Sequence, residues 1–244
     1  MLYDSAQIIN EFPKDAWQHD AYQKFQSKLT DKQMKFPCIP ATQGLALDQF
    51  RYGFIDDPTK QEAYKNIALL LTNYSHVYKN IGNYTSLVLF FKNAESTRNY
   101  SIANYESLFW EILSQSSDYD PSTWPEKIPT DSNDSLWEFC FEQERFFVFA
   151  ATPAHEHRQS RNFPYFMFAI TPRWVFDSFQ QQKSAQAIKK RIRERLNDYD
   201  AIEPHPELKL YGEKDNHEAK QYFLRDDQSS LSQCPFHRSL SNKD

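Results

Sequence analysis

The stretch Phe146-Phe147-Val148-Phe149-Ala150-Ala151-Thr152-Pro153-Ala154-His155-Glu156-His157-Arg158-Gln159-Ser160-Arg161 joins an apolar run to a dense cluster of reactive side chains. Aromatic and β-branched residues in an unbroken run suit a strand buried on both faces. Pro153 cannot donate to a ladder, so it marks the exit of that strand into a loop. His155, His157, Arg158, Ser160 and Arg161 then follow a strand end, where rigid scaffolding presents functional groups.

Working outward, Leu136 to Phe141 and Phe146 to Ala151 are two strands around Glu142-Gln143-Glu144-Arg145, which predicts an antiparallel hairpin. Tyr165 to Ile170 is a further strand, so the Thr152 to Pro164 loop connects two neighbours in one sheet. Phe50 to Ile55 and Leu87 to Phe91 complete a set of about five. Helical spacing places helices from Asp15 to Leu29, from Asp57 to Val77, from Ser101 to Leu113, from Arg173 to Phe179 and from Ser184 to Leu196. Two prolines in Phe36-Pro37-Cys38-Ile39-Pro40 predict irregular chain to Asp48, and the proline-marked 120–129 segment reads as loop. The expected fold is a single α+β domain with a mostly antiparallel sheet of about five strands flanked by helices. Its expected divisions are a helical segment over 1–35, the α+β body over 36–227 and a polar tail over 228–244.

Twenty Phe and fourteen Tyr in 244 residues predict a large aromatic interior or an aromatic-lined pocket. A net charge of −5 gives no electrostatic reason to expect nucleic acid or an anionic membrane as partner. The basic run Lys189 to Arg195, interrupted by Ile192 and followed by Leu196, reads as the solvated face of an amphipathic helix. Cys38, Cys140 and Cys234 are three widely spaced cysteines without a Cys-x-x-Cys pair, which favours a reducing cytoplasm over a disulfide framework. Neither a secretion signal at Met1 to Asn10 nor an apolar run long enough to cross a membrane is recognisable.

His155 and His157, two apart, would face one way on a continuing strand and could ligate a metal. A catalytic zinc site needs a third ligand, for which Glu218 is the nominee in a non-heme hydrolase reading. Cys38 could pair with His155 as nucleophile and base, although no local signature supports it. Cys140, inside its strand, reads as a small hydrophobe. Arg158 and Arg161 could hold carboxylates bidentately or form structural ion pairs. Four glycines and no phosphate-binding glycine loop argue against a Rossmann or Walker nucleotide site.

An ordered set of short motifs resembles the YqcI/YcgG family of bacterial proteins. It comprises Phe36-Pro37-Cys38, Tyr105-Glu106-Ser107-Leu108-Phe109-Trp110, Asp120 with Trp124-Pro125, Trp137-Glu138-Phe139-Cys140-Phe141, and His155 with Arg158-Gln159-Ser160-Arg161. Arg191-Ile192-Arg193 with Tyr199-Asp200, Tyr211-Gly212, Glu218 with Lys220-Gln221-Tyr222-Phe223, and Cys234-Pro235-Phe236 continue it. The resemblance implies a heme-dependent oxygenase that N-hydroxylates a guanidino or amino group of a small arginine-like metabolite. It implies b-type heme, a redox partner or reductant, and a chain that could pair as a homodimer. His155 is then the first candidate axial ligand, with Arg158 and Arg161 on the heme propionates or a substrate carboxylate. Cys38 is the rival ligand, and Cys234 with His237 a third option. Functionally described members carry His-Pro at the end of this strand, where this chain has Thr152-Pro153. The same resemblance also fits a heme-binding or heme-sensing protein without turnover.

Overall fold

A computed structural model describes residues 1–209 and 216–239; Tyr211 and Gly212 of the motif series lie outside the described residues, as does the end of the 228–244 tail. One mixed sheet carries the fold, in the order β1 (Phe50–Ile55), β2 (Ser86–Phe91), β5 (Met167–Pro172), β4 (Glu144–Ala151), β3 (Phe139–Phe141). Only β1 and β2 are parallel, and every other pairing is antiparallel, as expected. The parallel pair requires a crossover, which α4 (Gln61–Val77) supplies. β3 and β4 are joined by Glu142 and Gln143, both with positive φ, the backbone of a tight two-residue hairpin turn.

The β2 sequence Ser-Leu-Val-Leu-Phe-Phe is buried throughout because helices cover both faces of the sheet. On one face Val88, Phe90, Tyr52 and Met167 pack with Tyr22, Phe25 and Leu29 of α2 (Trp17–Thr30). On the other, Leu87, Leu89, Phe168 and Val148 pack with Ile67 and Leu71 of α4 and with Phe109 and Leu113 of α5 (Ile102–Ser117). Ser101 caps α5 by accepting from Asn104 N–H while Asn104 reaches back to its backbone. The twenty phenylalanines thus serve mainly as core.

Three helices were not expected, the shortest being the four-residue α8 (Ala219–Tyr222). α1 (Ser5–Glu11) is capped by Asp4, and the adjacent Tyr3 bridges Tyr52 to cover the edge strand. α3 (Ile39–Ala46) forms where prolines had predicted irregular chain, since Pro40 falls in its first turn and needs no donor there. Gly44 lets α3 approach β1: a Cβ there would lie 2.6 Å from the Phe50 ring. Several boundaries also move, with β5 spanning Met167–Pro172 where Tyr165 to Ile170 was expected. α4 begins at Gln61, beyond Pro58, because Asp57 instead closes a local turn by accepting from Thr59 N–H at 3.0 Å. β3 is only three residues long, because Glu138 turns its carboxylate to Arg173 and Arg145. α6 (Arg173–Gln180) and α7 (Ala185–Tyr199) follow β5, and α8 (Ala219–Tyr222) lies beyond them. No helix among the described residues is long and apolar enough to cross a membrane.

Candidate functional site

β4 ends at Ala151, and the loop that leaves it folds back through Thr152 N–H to the Arg161 carbonyl at 3.0 Å. This turns the sequence-predicted cluster inward. His155 and Arg158 are each 1% exposed and Arg161 4%. Groups carried that deep must find partners, and here the partners come from the chain itself.

His155 Nε2 donates to the Leu224 carbonyl at 2.8 Å, and a carbonyl can only accept, so this nitrogen bears the proton. Nδ1 then accepts from the Thr152 hydroxyl at 2.9 Å, while the same hydroxyl oxygen accepts from Ala154 N–H at 3.1 Å. The ring packs 5.7 Å from Phe223. Burial holds its pKa down to about 4, so the imidazole is neutral at pH 7. Thr152, at the position where the motif comparison expects a histidine, is therefore part of what consumes His155.

Arg158 and Arg161 likewise meet main chain. Arg158 donates to the carbonyls of Arg225 (2.7 Å), Asp227 (2.9 Å) and Glu203 (3.1 Å). Arg161 donates to Tyr222 (2.8 Å), Gln221 (2.9 Å) and Ala150 (3.1 Å), with its guanidinium 4.0 Å from the Phe149 ring centre. Desolvation draws the Arg161 pKa down to about 9. These two side chains staple the 221–228 segment to the end of β4.

Two carboxylates outside the predicted cluster complete the loop: Asp226, which sequence reading missed, and Asp200 of the motif series. Asp226 accepts N–H bonds from Glu156, His157 and Arg158 at 2.7 to 3.0 Å. Burial alone would raise its pKa, but these three donors outweigh that and hold it below the usual carboxylate value. Asp200 accepts from Ser160 N–H (2.7 Å) and Oγ (2.9 Å). Asp226 lies about 70 positions from its donors, so no local pattern could signal it.

His157 is exposed, unlike His155, and the expected shared face does not form. Glu218 is buried in an ion pair with Arg173, whose other branch meets Glu138. Among the described residues no group of three His, Cys, Asp or Glu side chains is placed to hold a metal ion, so the hydrolase constellation of His155, His157 and Glu218 does not assemble. Cys38 caps α3 and packs with the cluster under α2, whereas His155 packs on Phe223 across the sheet, so no nucleophile–base pair forms. Cys38 is half-buried and burial pushes its thiol pKa up. Cys140 is buried and inert, as expected.

Open space lies elsewhere. A cleft of about 420 Å³ is bordered by Trp124, Phe236, His237, Arg238, Asp118 and Asp131. A second, of about 600 Å³, shares Trp124 and adds Ile128, Leu136, Lys127 and Arg145. Neither is lined by His155, Arg158, Arg161 or Cys38. Heme requires a free donor atom and room for a flat macrocycle. With both imidazole nitrogens bonded and both guanidinium groups on carbonyls, His155, Arg158 and Arg161 do not fit it in this arrangement. His237 keeps a ring nitrogen outside such buried side-chain bonding, whereas the Cys38 sulfur accepts from Ala41 N–H and borders neither cleft. The His237 ring makes one long contact, 3.4 Å from Nδ1 to the Pro235 carbonyl, and borders the smaller cleft.

Among curated relatives, the chain is 46% identical over 222 residues to an uncharacterized protein, YqcI, of Bacillus subtilis (strain 168), covering 90% of this chain and 87% of that one. It is 43% identical over 231 residues to a second uncharacterized protein of that organism, YcgG, covering 94% and 90%. It is 25% identical over 229 residues to the putative N(omega)-hydroxy-L-arginine synthase DcsA of Streptomyces lavendulae, covering 91% and 84%. No solved structure matches. The model of the YqcI/YcgG family matches residues 25–237, and with relatives this similar along nearly the whole chain, the protein belongs to the YqcI/YcgG family.

Proposed function

We propose that this protein is an N-oxygenase, adding one oxygen atom to a guanidino or amino nitrogen of a small arginine-like metabolite with b-type heme as its redox group. The observation that carries this reading is the similarity, across 91% of the chain, to a relative named as a putative N(omega)-hydroxy-L-arginine synthase. The balance is an amine, dioxygen, two electrons and two protons in, and a hydroxylamine and water out, so a reductant must supply the electrons. Heme, when bound, provides the oxygen-activating chemistry. The protein supplies the ligand, orientation of the nitrogen and shelter from water.

Because the 152–161 loop is saturated, the ligand in this reading falls to Cys38 or His237. Hemin titration of the purified protein, followed by absorption, tests the reading. The expected result is a saturable Soret band that survives His155→Phe in the folded variant and is lost or shifted in either Cys38→Ala or His237→Ala. A protein that stays colourless under titration rejects the heme reading. A Soret band lost only in His155→Phe, with folding intact, returns the ligand to that loop.

A further inference from the structure

α7 carries Lys189, Lys190, Arg191, Arg193 and Arg195 against Glu194, so the 189–195 segment holds a charge of +4 in a chain whose total is −5, which leaves −9 on everything else. The helix rests on the protein through one side. Ala185 and Tyr199 are buried, and Ile188, Ile192 and Leu196 are half-buried. The Tyr199 ring lies 5.8 Å from Phe36, and Arg195 Nη1 donates to the Phe36 carbonyl at 3.3 Å. These positions recur at intervals of three and four, so they share one face of the helix.

The same spacing sorts the charges on the outer side. Gln186, Lys189, Lys190, Arg193 and Asn197 follow one another at helical intervals and make a stripe about 16 Å long that contains no carboxylate. All are exposed except Lys189, which is half-buried. Glu194 and Asp198 fall on the flank beside Arg191. Among the described residues, Lys189 and Arg193 have no carboxylate within ion-pair distance, and Lys190 Nζ meets Glu194 at 3.9 Å with both side chains exposed. A pair that open to water holds little energy, so the stripe keeps its positive field. Negative molecules are repelled by most of this protein and steered to α7. An extended polyanion, a nucleic acid or an anionic membrane, would lie against the negative remainder as well. A compact acidic protein meets the stripe alone.

We propose that the 186–197 stripe of α7 docks a small acidic electron-transfer protein of the [2Fe–2S] ferredoxin class. N-oxygenation takes up two electrons per turnover, and a one-electron carrier delivers them in two encounters, so the complex has to form and part quickly. Exposed charges with little apolar surface suit that demand, because they speed the encounter and leave the complex weak. The role of the stripe in electron delivery rests on the N-oxygenase reading; its capacity to hold an acidic protein does not.

Calorimetric titration of the full chain with an acidic [2Fe–2S] ferredoxin tests the face without heme, dioxygen or substrate. The expected result is a complex at low salt that weakens about tenfold or more at about 0.5 M salt, where exposed charges are screened within a few ångströms. Lys190→Glu with Arg193→Glu weakens low-salt binding about tenfold or more, whereas Lys14→Glu with Lys60→Glu, an equal change of charge on exposed residues elsewhere, shifts it less than about threefold. Absence of binding at low salt overturns the proposal, as does an equal loss in the two double variants. Duplex RNA or phosphatidylserine vesicles held by the stripe when the ferredoxin is not also overturn it. Ferredoxin binding through α7 with no oxygenated product rejects the N-oxygenase reading and leaves the docking face standing. Oxygenation driven by ferredoxin and its reductase, with the KM for ferredoxin unchanged by Lys190→Glu and Arg193→Glu, rejects the face and leaves that reading standing.

Discussion

The 152–161 loop and the Asp120–Trp124–Arg238 corner use the same kinds of side chain to opposite ends. In the loop, two arginines and a histidine are almost wholly buried, and their donors are matched to carbonyls of the chain. At the corner, an arginine reaches a buried carboxylate from the side of an open cleft. Reactive residue types therefore do not by themselves mark a site. A polar group whose partners are all fixed and dry contributes stability, whereas one bordering space can exchange its partner for a ligand.

The strongest way to break this contrast is Arg161→Met. It leaves the Ala150, Gln221 and Tyr222 carbonyls without their donor, and the loss in urea denaturation is about 3–5 kcal/mol. A loss under about 1 kcal/mol would show that the staple is dispensable.

His155 gives the next effect through pH. Its folded pKa of about 4 lies below the unfolded value, so the native state favours the neutral ring. Stability from this group is fully present above pH 6.5, falls as pH drops from there towards 4, and is flat below. The full loss is about 3 kcal/mol. The difference in stability between parent and His155→Phe should narrow across that window, and a difference independent of pH would contradict the assigned tautomer and burial.

The two regions also separate by stability: Arg238→Ala, which removes one donor bond to Asp120 and one to the Ser122 carbonyl at the cleft border, should cost about 2 kcal/mol in denaturant, less than Arg161→Met, and an equal loss would erase the contrast. The smallest effect is that of Thr152→Val, which keeps the shape but removes the hydroxyl between His155 and Ala154, costing about 1 kcal/mol in denaturant.

The sheet was legible because its strands carry their own signals. The β2 run, the β3–β4 hairpin and the apolar stripes of α4 and α5 are local patterns, and they formed within the expected ranges, α4 starting later and β3 shorter. α3 was not legible because Pro40 and Gly44 read as breakers, although one sits in a first helical turn and the other where α3 meets Phe50. For the site, the cluster's position after a strand was correct while its environment was not. Leu224, Asp226 and Asp227 arrive from about 70 residues further on and close over His155 and Arg158, while Glu156 and His157 stay exposed. The Asp120–Arg238 pair spans 118 positions and carries no local signal at all.

The most direct test of the N-oxygenase reading is mass spectrometry of products after the heme-loaded protein is incubated with a reductant, isotopically labelled dioxygen and a panel of guanidino and amino compounds. The predicted result is a product that has gained one labelled oxygen atom on nitrogen. Heme uptake and ligand binding with no labelled product from any member of the panel would contradict it.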